Sequence, residues 1–301
     1  TWGARTATAV QLGGARVPFG RDQLFQIGSQ YVGIEICEDL WVPEQPSINL
    51  VANGATIIAN PSASPEAVAK ASYRRGLVAH TAGRLATGYV YSSASPTEST
   101  AEIVMSGHAL INELGTPLAE RAPFSQQGPL FFADIDAAHI QHDRLKATNF
   151  PSRHDIVATP TYVTPSQATL ERAIDPHPFV PKGSAEAITE RFDTILNIQA
   201  TGLAMRLRSA SIEKVVLGLS GGLDSTLALL AAIQAAQVLG KKPGELIHTL
   251  TMPGVASSDR TQNNAIELAT SLGITNEEIP IAQLSQNQLD ALHHTGEQDV
   301  T

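Results

Sequence analysis

Val215-Val216-Leu217-Gly218-Leu219-Ser220-Gly221-Gly222-Leu223-Asp224-Ser225-Thr226 decides how this chain is read. The β-branched and aliphatic start predicts a buried strand. Gly221 and Gly222 predict a tight turn that lets backbone approach a ligand. Leu223, Leu227, Leu229, Leu230, Ala231 and Ala232 then predict a helix packed on a sheet. A strand, a glycine turn and a helix N-terminus make an anion site, because free N–H groups and the helix dipole point at the turn. Ser220, Ser225 and Thr226 add hydroxyl donors, and Asp224 places a carboxylate where a phosphate-bound cation needs one. No lysine follows the glycines, so this is not the G-x-x-x-x-G-K-[ST] loop, and it is not G-x-G-x-x-G.

The S-G-G-L-D-S run resembles the pyrophosphate loop of the ATP-pyrophosphatase superfamily, whose members adenylate a carboxyl or carbonyl group and let a nucleophile displace AMP. On that resemblance Gly218, Leu219, Ser220, Gly221, Gly222, Leu223, Asp224 and Ser225 hold the phosphates of ATP, and Asp224 ligates Mg²⁺.

Downstream, Leu246 to Met252 reads as a strand, Thr261 to Leu272 as a helix and Ile274 to Ile281 as a further strand, the start of a doubly wound parallel sheet. Upstream, Ser184 is placed to cap a helix carrying Ile188, Phe192, Ile195, Leu196, Leu203 and Leu207 at helical spacing. Residues 149–183 hold Pro151, Pro160, Pro165, Pro176, Pro178 and Pro181 with little apolar periodicity, and read as a linker.

The first 148 residues form a second α/β series. Val10, Leu12, Val17 and Phe19 surround Gly13-Gly14 as a hairpin. Tyr31 to Ile36, Ala55 to Asn60 and Gly88 to Tyr91 read as strands. Pro46 to Asn53 reads as a short helix and Glu66 to Thr87 as a long one. A β-rich stretch follows: Ile103 to Ile111, a turn at Leu114-Gly115, Pro117 to Arg121, and Leu130 to Ile135.

Cys37 ends the first of these strands, in Glu35-Ile36-Cys37-Glu38-Asp39-Leu40-Trp41-Val42-Pro43. A nucleophile there projects above the sheet edge, where following N–H groups can stabilise an oxyanion. Taken alone, a lone cysteine is more often a small buried hydrophobe. The surrounding residues resemble the nucleophile segment of the nitrilase (carbon–nitrogen hydrolase) superfamily, and in particular the glutaminase domain of the glutamine-dependent NAD synthetases. Pro46-Ser47, Gly54-Ala55 and Asn60-Pro61-Ser62 carry that likeness over residues 25–110. Pro178-Phe179-Val180-Pro181, Asn197 to Leu203, Met252-Pro253-Gly254 and Asn263-Asn264-Ala265 resemble the synthetase domain of the same family over residues 178–280.

The resemblance implies an α/β chain in three parts. Residues 1–148 are the C-terminal half of an α-β-β-α glutaminase sandwich, residues 149–183 a linker, and residues 184–301 the first part of a synthetase domain of the adenine nucleotide α hydrolase type. It implies that Cys37 attacks the glutamine amide, that Ser64 and Lys70 hold glutamine, and that Thr251 contacts the nucleotide. Lys70 stands where arginine is found in close relatives. It further implies ATP and Mg²⁺, deamido-NAD and glutamine as substrates, an ammonia passage and a homo-oligomer. The family's catalytic glutamate and lysine lie well upstream of its cysteine. Only 36 residues precede Cys37 and none is lysine, so no base is assigned and the chain reads as an internal fragment, inactive unaided.

Composition sets the outer limits. The 301 residues suffice for two cores, and 43% apolar with 16% charged is ordinary for a soluble globular protein. Net charge is −9 with no basic stripe, which argues against a nucleic-acid partner. No apolar run approaches roughly 18 residues, so no membrane span is expected. The single cysteine fits a reducing, cytoplasmic setting. His139 and His142 read as a solvated pair, and Trp41 as a pocket wall. Two other readings stand beside the family reading: another pyrophosphate-loop ligase, and a degenerate chain that binds nucleotide without turnover.

Overall fold

A computed structural model describes residues 8–20, 22–125, 130–161, 172–254 and 259–294. The chain divides into two compact units, Thr1–Ile174 and Asp175–Thr301. Each is taken by itself.

Unit 1 opens with an antiparallel hairpin, β1 (Thr8–Leu12) and β2 (Ala15–Phe19), turning at Gly13-Gly14. Its main sheet contains β3 (Leu24–Ile27), β4 (Gln30–Ile34), β5 (Ile57–Ser62), β6 (Gly88–Ser93), β7 (Ala109–Glu113), β8 (Thr116–Arg121) and β9 (Thr159–Pro160). The spatial order is β8-β7-β6-β5-β4-β3-β9. The central three strands, β4, β5 and β6, are parallel, and antiparallel strands flank them on both sides. The parallel crossovers carry α1 (Pro46–Ala52) and α2 (Lys70–Arg84), and α3 (Ala137–Lys146) follows the hairpin of β7 and β8. Leu24, Leu40, Leu50, Ile58, Val78, Ala82, Tyr89 and Leu110 form the core. Gly33 matters here: a Cβ would lie 3.0 Å from Leu50 and Ile58, so glycine lets α1 lie close on β4.

Three expectations for this unit shift. The long helix begins at Lys70, not Glu66, because Ala69 takes a left-handed φ of +66° and the Glu66 N–H bonds the Val104 carbonyl. Residues 103–108 stay irregular: the Thr100 hydroxyl folds back on the Ile103 N–H, and Gly107 has φ +65°. Residues 130–135 form no strand. Leu130 and Phe132 are exposed, Ile135 packs over Gly88, and the Asp136 N–H donates to the Glu113 carboxylate at 2.6 Å. The Leu114-Gly115 turn forms as read, with φ +50° and +89°, and Ser184 caps its helix through the Ala187 N–H.

Between 149 and 174 the described residues pack on unit 1. Phe150, Ile156 and Ala158 join its core, and β9 pairs with β3. Pro165 lies outside the described residues.

Unit 2 comprises α4 (Ala185–Ser209), β10 (Val215–Gly218), α5 (Leu223–Val238), α6 (Pro243–Leu246), β11 (Ile247–Thr251), α7 (Asp259–Ser271), β12 (Thr275–Glu278) and α8 (Ala282–Ala291). The helix α8 was not foreseen. The three strands are parallel and adjacent in chain order, so the described part of the sheet winds one way. Leu207, Leu219, Leu229, Ala232, Leu246, Ile247, Ala265 and Ile274 make its core. The α4–α5 contact is built from alanines: Ala200, Ala204 and Ala235 are fully buried, which lets the two helices approach closely. No helix among the described residues is long and apolar enough to cross a membrane.

Candidate active sites

In unit 1 the chain leaves β4 at Ile34 and runs extended through Ile36. Cys37 then takes φ +52° and opens a 3₁₀ turn ending at Trp41. A non-glycine residue in this region is strained, and strain of this kind clusters at functional sites. The turn is held from below. The Cys37 N–H donates to Asn60 Oδ1 at 3.1 Å, and Asn60 Nδ2 faces the Cys37 carbonyl at 3.4 Å and the Tyr89 hydroxyl at 3.2 Å. Ser62 Oγ donates to the same Asn60 oxygen at 2.7 Å. Tyr89 in turn donates to buried Glu35 Oε1, and Glu35 Oε2 accepts the Ser47 N–H at 2.9 Å. Burial, then the charge of Glu35, push the Tyr89 phenol well above its usual range, so it stays a proton donor. Asp39 Oδ2 accepts the Ile36 N–H at 2.8 Å. The carboxylates of Glu35 and Asp39, two of the three nearest Cys37 in sequence, are therefore both engaged in structural hydrogen bonds, Glu35 with Tyr89 and the first turn of α1 and Asp39 with the backbone leading into the Cys37 turn.

Trp41 stacks on Tyr73, with ring centroids 5.5 Å apart and planes 12° from parallel. Lys70 Nζ lies 5.5 Å from the Trp41 centroid and donates to the Pro65 carbonyl at 2.7 Å. Ser64 is buried. Lys70 and the Cys37 turn thus meet through Trp41, and Ser64 enters on the same loop as Pro65. An apolar hollow of about 230 Å³, lined by Phe25, Ile34, Ile36 and Pro46 among others, borders the turn.

In unit 2, β10 ends at Gly218 and the loop Leu219 to Gly222 leads into α5. The Leu219 N–H bonds the Leu250 carbonyl of β11 at 2.7 Å. Ser220 and Ser225 close the loop on itself, with Oγ atoms 3.1 Å apart and Ser225 Oγ facing the Ser220 N–H at 3.3 Å. Thr226 Oγ1 and Ser225 Oγ both donate to the Gly222 carbonyl. Gly221 has φ +76°, and a Cβ there would lie 2.0 Å from the Thr261 carbonyl oxygen of α7. Glycine is required on both counts. Gly222 is the N-cap of α5 and makes no side-chain cap, so the first N–H groups of a 16-residue helix face the loop unfilled by any side-chain cap. Asp224 is exposed in the first turn.

Thr251 ends β11 at the carboxyl edge of the parallel sheet, where α/β folds bind ligands. It is buried, and its hydroxyl, like that of Thr249, donates to Asn276 Oδ1. Sequence reasoning missed Asn276, and it missed the Glu35–Tyr89–Asn60 support of Cys37. Glu35 and Tyr89 are 54 positions apart, and no local pattern joins them. Among the described residues no group of three or more His, Cys, Asp or Glu is gathered to hold a metal.

The loop is a glycine turn between a parallel strand and a helix N-terminus at the carboxyl edge of the sheet. Residues 195–300 match the model of the NAD synthase family. Over a longer span that includes this region, the chain is 35% identical over 298 residues, 95% of its length, to the glutamine-dependent NAD(+) synthetase of Mycobacterium bovis. It is 30% identical over 270 residues to the enzyme of that name from Thermotoga maritima. In both cases it spans 44% of the relative's length. A solved glutamine-dependent NAD(+) synthetase from Cytophaga hutchinsonii aligns with all of this chain and 47% of its own, at 21% identity and a TM-score of 0.38. The chain is a homologue of the glutamine-dependent NAD synthetases and carries a region of the NAD synthase family.

Proposed function

We propose that this chain supplies the cysteine of a glutaminase site and the ATP loop of a synthetase site in a glutamine-dependent NAD synthetase. The observation that carries the reading is the Ser220-Gly221-Gly222-Leu223-Asp224-Ser225 turn, between a parallel strand and a helix N-terminus, inside the region that matches the NAD synthase family. Residues 1–148 are the glutaminase part, 149–183 the connection and 184–301 the synthetase part. The finer architecture proposed is a nitrilase sandwich joined to a doubly wound sheet.

In the glutaminase part, Cys37 Sγ attacks the side-chain amide carbon of glutamine, ammonia leaves, and water resolves the thioester to glutamate. Lys70 and Ser64 orient the amino acid. Asn60 holds the backbone of the turn, so that the strained Cys37 keeps its position through both steps.

In the synthetase part, the loop N–H groups and the α5 dipole hold the phosphates of ATP while the nicotinate carboxylate of deamido-NAD is adenylated. Ammonia then displaces AMP, giving NAD. Thr251 lies toward the nucleotide. A Mg²⁺ ion fits the donor set: one exposed carboxylate, Asp224, with phosphate oxygens completing the shell. Bound there, it would supply charge neutralisation to the departing pyrophosphate. The substrates proposed are small molecules, the protein homo-oligomeric and its setting cytoplasmic.

The test is NAD formation by the full-length protein from deamido-NAD and ATP, with glutamine or ammonium. Cys37→Ala is expected to abolish the glutamine-driven reaction and keep the ammonium-driven one. No NAD from either nitrogen source in the wild type sinks the reading.

A further inference from the structure

The loop from Ala63 to Ala69, which carries Ser64, is tied to the 99–108 segment and to the interior of α2 through Glu66. Glu66 Oε2 accepts from Arg74 Nη1 at 3.1 Å and from Ser106 Oγ at 2.5 Å, and the Glu66 N–H donates to the Val104 carbonyl at 2.8 Å. Arg74 is fully buried one turn into α2. Its Nη1 also lies 2.6 Å from His108 Nδ1, and its guanidinium carbon is 5.4 Å from the Tyr91 ring centroid. His108 Nε2 continues to Glu120, which Arg75 holds from the surface side. Glu66 therefore ties three pieces of chain: the loop, the first turns of α2 and the 99–108 segment.

Stability alone does not account for this arrangement. Glu66 Oε1 and Arg74 Nε and Nη2 are buried with no hydrogen-bond partner among the described residues. A buried pair with open polar atoms is a poor stabiliser, because desolvation offsets much of the attraction. Ser64 is two residues before Glu66, and Lys70, at the start of α2, is four residues before Arg74 and reaches back to Pro65 and across to Trp41.

We propose that Glu66, Arg74 and Ser106 are positioning residues that clamp the Ser64–Lys70 loop over the Cys37 turn and so set the affinity for the amide substrate. This inference rests on the reading of Ser64 and Lys70 as glutamine ligands. The hydrogen bonds of the clamp run among Glu66, Arg74, Ser106, His108 and Val104, and none reaches Cys37. The clamp fixes the separation of Ser64 and Lys70 by tying the loop between them to α2.

The experiment uses the full-length protein and three variants, Glu66→Gln, Ser106→Ala and Arg74→Lys. Each is assayed for glutamine-driven and ammonium-driven NAD formation, with alkylation of Cys37 by iodoacetamide as a check on the turn. Glu66→Gln is expected to raise KM for glutamine about tenfold or more, the scale of a lost hydrogen bond to a charged group. Its ammonium-driven rate and its Cys37 alkylation stay within about twofold of wild type. Ser106→Ala is expected to raise the same KM about threefold, and it decides the matter if Glu66→Gln fails to fold. Arg74→Lys keeps a charge beside Glu66 and is expected to fall between the two. Unchanged KM in Glu66→Gln, or in Ser106→Ala where that variant decides, overturns the clamp. So does a loss of ammonium-driven activity in step with the glutamine-driven one. A wild type that uses ammonium but not glutamine, or neither, overturns the glutaminase reading itself and the clamp with it. A wild type that uses glutamine, with variants of unchanged KM, overturns the clamp only.

Discussion

The two candidate sites are held in opposite ways. The glycine loop before α5 is largely self-contained: Ser220, Gly222, Ser225 and Thr226 bond one another within seven residues, while the Leu219 N–H reaches the Leu250 carbonyl and the Thr261 carbonyl lies against Gly221. The Cys37 turn borrows its support. Asn60, Tyr89, Glu35 and Ser47 come from β5, β6, the end of β4 and α1, and they meet beneath it. A local device survives in the sequence as a motif. A device assembled from distant residues leaves only scattered polar positions inside apolar strands.

Substitutions sharpen that contrast. The largest effect is expected for Gly221→Ala. The left-handed backbone and the overlap with Thr261 cost at least ~2 kcal/mol, and both ammonium- and glutamine-driven synthesis should vanish. Activity within about tenfold of wild type would show that the loop tolerates a different shape. Tyr89→Phe comes next. It leaves a buried Glu35 oxygen unpaired, about 1–3 kcal/mol, and should slow alkylation of Cys37 while ammonium-driven synthesis persists. A stable variant with unchanged Cys37 reactivity would break the claim that the turn depends on distant support. Ser225→Ala removes neutral bonds inside the loop and should cost only about 0.5–1.5 kcal/mol, visible as weaker ATP binding with the glutaminase untouched.

The smallest effect concerns pH. Burial raises the Glu66 pKa, but the bonds from Ser106 and Arg74 outweigh it, and the folded value lies below the ordinary 4.5. A depressed carboxylate contributes stability that is present above its unfolded pKa and is lost as pH falls through the folded one. The difference in urea midpoint between wild type and Glu66→Gln should therefore be constant from about pH 7 to about pH 5 and shrink below about pH 4.5. A difference that grows on acidification contradicts the assigned charge.

The same distinction marks what could be read from sequence. The loop, the Ser184 cap and the Leu114-Gly115 hairpin were legible, because each depends on residues within a few positions of one another. The start of α2 was not, because Glu66 bonds Val104 and Ser106 some 40 positions on and Ala69 takes a left-handed φ. Residues 130–135 have strand composition, yet Glu113, 23 positions before Asp136, takes the N–H that ends the run. Periodicity records which face is apolar. It does not record which carboxylate reaches across the fold.

The two-residue strand β9 has a consequence for self-association. It is the outermost strand beside β3 among the described residues, and the Thr161 N–H points inward to Gln26. Backbone donors alternate along a strand, so the N–H of residue 160 would point outward, and residue 160 is proline. Among the described residues the sheet therefore ends on a position that cannot donate to an incoming strand, which disfavours edge-to-edge stacking of one molecule on another at residue 160.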